Sequence, residues 1–140
     1  MRDAARAGWK RGGLPGRFTL LLPPGMRPMA VRPLDSASGS YRSEACELTY
    51  DYGRYADPLT DPETPADAQL WRTIDGQRAK YVTFTKPDQG DGLTAIAAMH
   101  FPDLGHATRL TVVLACREGA DLDDAEAILG SVVFARPLSM

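Results

Sequence analysis

The sequence predicts an antiparallel α+β sandwich, and three observations carry that expectation. Segments with an apolar residue at every second position recur at hairpin spacing, an Asp-Gly dipeptide at residues 75–76 joins two of them, and one amphipathic helical segment closes the chain. Period two marks a strand with one buried face, whereas steps of three and four mark a helix with one apolar stripe.

Taken in order, residues 1–16 hold four glycines and no hydrophobic period, so they read as a flexible basic tail ahead of one domain over residues 17–136. "RFTLLL" reads as a strand, "PPGMRPM" as a turn, and residues 29–31 as a short strand. "PLDSASGSY" is small and polar, which predicts a loop or irregular edge. Residues 45–52 alternate, with Cys46, Leu48, Tyr50 and Tyr52 on one face and Glu47, Thr49 and Asp51 on the other. Gly53 ends that strand, leaving Arg54, Tyr55 and Asp57 beyond it. "ADPLTDPETPAD" has three prolines, four acids and no period, so it reads as a long surface loop.

"QLWRTI" and "RAKYVTF" flank Asp75-Gly76, a pair that tolerates positive φ at both centres of a tight hairpin. Residues 92–101 form the next strand, with Leu93, Ala95, Ala97, Met99 and Phe101 on one face. "TRLTVVLAC" follows, its Leu110, Val112, Leu114 and Cys116 sharing a face. In the closing segment Asp121 is placed to cap a helix and Asp124 to reach back. Leu122, Ala125, Leu129 and Val132 then make its apolar stripe.

Composition excludes several classes. With 140 residues, 44 % hydrophobic and 24 % charged, the chain has the make-up of one ordinary globular domain. No window approaches the roughly 18 apolar residues of a membrane span. The net charge of −2 is uneven: eight basic residues against Asp3 and Asp35 give +6 over residues 1–42, and the rest carries −8. Those cations are spread among Gly, Pro and Ala without stacking aromatics, which argues against nucleic acid as a partner. The basic start lacks the apolar segment of an export signal, so the chain as given reads as cytoplasmic, and as periplasmic if such a signal precedes it. Cys46 and Cys116 stand 70 positions apart, outside the usual zinc and thioredoxin spacings, and read as two buried thiols or one disulfide.

Chemical motifs are sparse. "HFPDLGH" offers His100, Asp103 and His106, which could ligate a metal or pair a base with its orienter. No third His or Cys stands at useful spacing, and His100 belongs to a strand while His106 lies in the loop beyond a proline. There is no G-x-S-x-G elbow, and the glycine pairs lack the strand-to-helix setting that cradles phosphate. Asp57, Asp61, Glu63 and Asp67 lack the spacing and central glycine of a calcium loop. The sequence therefore implies no cofactor, and no catalytic residue.

The order "FTLLLPPGM", "DSASGSY", a strand ending "DYG", "IDGQRAKYVTF", two further strands and "AEAILGSVVF" resembles the PsbP-like superfamily over residues 18–134. That group includes the extrinsic photosystem proteins, the Mog-type nuclear-transport factors and many uncharacterised bacterial proteins. The resemblance implies an antiparallel sheet flanked by helices, an α/β/α sandwich used for binding other macromolecules. Its exported members are the ground for the alternative of a Cys46–Cys116 bridge to two buried thiols. The expectation for function is a small non-enzymatic accessory domain with a protein partner, a homodimer being left open. Its contact surface would be the sheet face away from the helix, or the edge at Tyr50, Tyr52, Arg54, Tyr55 and Asp57, with Trp71, since Tyr, Trp and Arg dominate interface hot spots. The alternative is a metal- or small-molecule-binding protein or enzyme built on His100, Asp103 and His106.

Overall fold

Alternating side chains assemble into two antiparallel sheets in the computed structural model, which describes residues 8–29, 37–54, 56, 58–59 and 68–135. Among these residues ten strands run in chain order: β1 (Lys10–Leu14), β2 (Phe18–Leu22), β3 (Arg27–Met29), β4 (Ala37–Arg42), β5 (Cys46–Gly53), β6 (Ala68–Ile74), β7 (Gln77–Thr85), β8 (Ala95–Phe101), β9 (Arg109–Cys116) and β10 (Val133–Phe134). The larger sheet has seven strands in the order β3-β4-β5-β9-β8-β7-β6, and the smaller has the order β1-β2-β10. A 3-10 turn over Gly119–Asp124 runs into a five-residue helix, α1 (Ala125–Leu129).

Register explains where the core sits. Leu48↔Leu114, Ala97↔Leu114, Met99↔Val112 and Tyr81↔Met99 are direct cross-strand partners, so one face of the larger sheet is apolar from β5 to β7. Phe18, Leu20 and Leu22 of β2, with Ile128 and Leu129 of α1 and Phe134 of β10, close over that face in one cluster. Phe18 meets Tyr50 edge-on at 5.1 Å and stacks on Tyr52 at 6.2 Å, while Phe101 meets Phe134 edge-on at 5.0 Å. Each of the buried phenylalanines contributes about 1.5–3 kcal/mol by leaving water. At the hairpin, Asp75 and Gly76 take φ of 50° and 79°, and Ile74 pairs with Gln77 across the two-residue turn.

The structure corrects the expected α+β sandwich with flanking helices: the described residues are mostly β, two antiparallel sheets with one short helix. The apolar stripe read as one helix is divided among three conformations. Leu122 lies in the 3-10 turn, Ala125 and Leu129 in α1, and Val132 beyond Gly130. Asp124, expected to reach back from within the first turn, instead directly precedes α1 with φ −90° and ψ 1° and makes no side-chain capping bond. Steps of three and four suit a 3-10 turn entering one α turn as well as a longer helix.

Three strands form where the sequence predicts none: β10 at the close of the chain, and β1 and β4, whose glycines explain them. Gly39 of β4 stands opposite Tyr50, and a Cβ there would lie 2.5 Å from the Tyr50 hydroxyl oxygen. β1 occupies Lys10–Leu14, inside the stretch expected as a tail. Its Gly12 leaves room for Tyr41, whose oxygen a Cβ would approach to 2.7 Å, and the Gly13 N–H donates to that oxygen at 2.8 Å. In both strands the small residues make way for a tyrosine from elsewhere in the chain. β3 covers Arg27–Met29, so Arg27 and Pro28 of the expected turn are strand; of the stretch expected as a strand over residues 29–31 only Met29 is seen in it, and residues 30 and 31 lie outside the described ones.

Candidate functional site

An unpaired edge of the larger sheet is an accessible recognition feature among the described residues. β6, "AQLWRTI", pairs with β7 alone and ends the larger sheet. A two-residue hairpin turn makes Ile74 and Gln77 a hydrogen-bonded pair, and such pairs alternate along an antiparallel ladder. Arg72 and Leu70 therefore bond to β7 through Ala79 and Tyr81, while the backbone N–H and C=O of Gln69, Trp71 and Thr73 face outward. Natural edges are normally blunted by shortness, charge or proline. The opposite edge follows that rule, since β3 has three residues with Pro28 in the middle. β6 has seven residues, no proline and a single charge, Arg72.

Its side chains add anchors on both faces. Leu70 is 40 % and Trp71 45 % exposed. The Arg78 guanidinium lies 4.0 Å over the Trp71 ring, and holding the indole between backbone and cation lowers the cost of fixing it in a complex. On the opposite face Arg72 sits 5.5 Å over the Tyr81 ring and pairs with Glu126. Burial, then Glu126, push the Tyr81 phenol above its ordinary value against the opposing pull of Arg72. Trp71, Arg72, Thr73, Gly76 and Arg78 line a shallow depression of about 320 Å³ at this edge.

The other sequence candidates fall elsewhere. Tyr50 and Tyr52 turn inward against Phe18 and are core. The Tyr50 hydroxyl donates to the Gly13 carbonyl at 3.4 Å, and burial, with Tyr41 second, pushes its phenol up. Arg54 is exposed just past β5, while Tyr55 and Asp57 lie outside the described residues. Trp71 alone of that set is an exposed aromatic among the described residues.

The face away from α1 is not an open surface either. Lys80, His100 and Thr111 are buried on it at 7 %, 4 % and 3 % exposure. Described parts of the connection between β5 and β6 lie against it: Ala56 is 1 % exposed, and Lys80 Nζ donates to the Leu59 carbonyl at 3.1 Å.

His100, Asp103 and His106 do not converge. His100 Nδ1 is 2.8 Å from Thr111 Oγ1 in the buried face. Asp103 Oδ1 accepts the Gly105 N–H at 3.1 Å, and His106, with φ 53°, is exposed in the β8–β9 turn, where its carbonyl accepts the Thr108 hydroxyl. Among the described residues no three of His, Cys, Asp and Glu stand within reach of a common metal ion.

Cys46 and Cys116 are direct partners in the β5–β9 register and form a disulfide, with Cα atoms 4.1 Å apart. Counted through the registers from the Asp-Gly turn, they form a non-hydrogen-bonded pair, where antiparallel strands approach most closely. What sequence reasoning missed is a polar row across the buried face, Lys80↔His100↔Thr111↔Asp51. Its only sequence signal was the alternation that put Asp51 and His100 opposite the apolar positions.

No protein-family model and no curated protein matches the chain.

Proposed function

We propose that this protein is a small non-enzymatic binding domain that recognises another polypeptide by adding one of its extended segments to β6. The observation that carries the reading is the unblunted β6 edge, seven residues with outward backbone groups at Gln69, Trp71 and Thr73 and an exposed Leu70–Trp71 pair. Strand addition draws affinity from main-chain bonds and specificity from alternate side chains, and aromatic anchors such as Trp71 dominate the energetics of such contacts. The PsbP-like resemblance favours the same class of role. The Cys46–Cys116 bridge supports a working compartment that is oxidising, because disulfides persist there. No helix among the described residues is long and apolar enough to cross a membrane.

A photo-crosslinking residue at Gln69, introduced in the producing cells, tests the edge. Adducts are expected from Gln69 and not from Thr49, which is exposed on β5. Thr73→Pro removes only an outward N–H, so it should abolish the adducts while the far-ultraviolet spectrum stays unchanged. Adducts that survive Thr73→Pro, or that form equally from Thr49, would overturn the reading.

A further inference from the structure

From the self-complementarity of β6 we infer that the segment added to it is β6 of a second copy of this chain, antiparallel, about a two-fold axis through Trp71. The inference rests on the reading of β6 as the binding edge and names the occupant.

Backbone geometry comes first. The outward-facing residues are Gln69, Trp71 and Thr73, spaced evenly about Trp71 at the centre of the Ala68–Ile74 strand. Laid antiparallel on its own copy with Trp71 opposite Trp71, the strand sets Gln69 opposite Thr73 and Thr73 opposite Gln69. Every outward group then meets an outward group, and the three pairs exchange about six main-chain hydrogen bonds. Shifting the register by one residue would set outward groups against inward-bonded ones, so the alternation excludes it. A two-residue shift leaves one outward residue on each strand without a partner.

Side chains agree with the same register. Leu70 and Arg72 become cross-strand neighbours on the α1 side, so the strand's only charge faces an apolar residue and not its own copy. Arg72 is already directed onto the Tyr81 ring and toward Glu126, leaving its aliphatic stem beside the incoming Leu70. On the other side the two Trp71 rings meet across the axis, each backed by its own Arg78. The exposed apolar residues of this edge, Leu70 and Trp71, are both covered by the one operation. An isologous contact of this kind requires one surface patch to complement itself, and β6 satisfies that condition in backbone, charge and apolar area.

A seven-residue strand contact lies below the standard interface size of roughly 1,200 Å². The dimer should therefore dissociate in the micromolar range, about 1–100 µM.

Sedimentation of the full chain across that range, with the disulfide intact, is expected to show a monomer–dimer equilibrium that Thr73→Pro shifts fully to monomer. Register is read by mixing two variants, Gln69→Cys and Thr73→Cys, under mild oxidation. The mixture should give a covalent heterodimer, while each variant alone should give little, because like positions are offset across the axis. A wild-type chain that stays monomeric to about 1 mM, well above the affinity expected of so small a contact, overturns the inference. Crosslinking as efficient in the separate variants as in the mixture overturns it too. If the chain is monomeric and Gln69 still captures a different protein in a manner blocked by Thr73→Pro, the binding edge stands and the second-copy assignment falls. If neither occurs, both fall.

Discussion

Single side chains show which local interactions hold the molecule. Phe101 is fully buried, edge-on to Phe134 between the two sheets. Phe101→Ala should cost about 3–5 kcal/mol, read as a lower urea midpoint at unchanged slope. Asp88 illustrates a different effect at the surface. Its Oδ1 accepts the N–H groups of Gly90 and Gly92 at 2.8 and 2.9 Å, and these two bonds, Gly90 first, hold the carboxyl below 3.8. A depressed folded value means that the stabilisation is complete above the unfolded value and disappears as pH falls through the lower one. Carbonyl-region NMR should show Asp88 titrating below the ordinary aspartate range. Faster amide exchange at Gly90 and Gly92 is expected in Asp88→Asn, and a titration at or above 3.8 would refute the assignment. Tyr50 responds at the other end of the scale. Its raised phenol value implies stabilisation that is intact below 10.0 and lost as pH rises through the folded value, so tyrosinate absorbance should appear late and together with unfolding.

At the scale of elements, two aspartates near turns make opposite predictions. Asp75 Oδ2 accepts the Phe134 N–H at 2.8 Å and so ties the β6–β7 turn to β10 of the other sheet. Asp75→Ala leaves that partly buried donor unmet and should cost about 1–3 kcal/mol by thermal or urea unfolding. Asp124 caps nothing with its side chain, so Asp124→Ala should change stability by less than about 0.5 kcal/mol. The same contrast shows what was legible beforehand. β5, β8 and β9 announce themselves by period two, and the β6–β7 hairpin by Asp75-Gly76, because those signals are local. β1 and β4 are strands only because Tyr41 and Tyr50 arrive from distant positions and need glycine beside them. No window of ten residues contains that information. Trp71 was legible as a candidate, whereas Tyr50 and Tyr52 were exchanged for core by the alternation itself. The open edge depended on strand order, which the sequence does not state.

For the whole molecule the disulfide is the largest single constraint. It links β5 to β9 across a separation of 70 residues, which the chain-entropy account values at about 4 kcal/mol. A thiol assay in denaturant should find none until reductant is added, and then two. Reduction should lower the unfolding temperature substantially. Two reactive thiols in the untreated protein would contradict both the bridge and the oxidising compartment proposed from it.

The inequality between the two ends of the larger sheet has one more consequence. β6 is open, and β3, short and interrupted by Pro28, is closed to main-chain pairing. A sheet open at both ends can add copies without limit and grow into a fibre, whereas one open at a single end, as the larger sheet is, is satisfied after a single addition. Pro28 is thus a chain terminator in the polymer chemist's sense. Replacing it with Thr, and extending that strand, would be the way to convert a self-limiting pair into a filament.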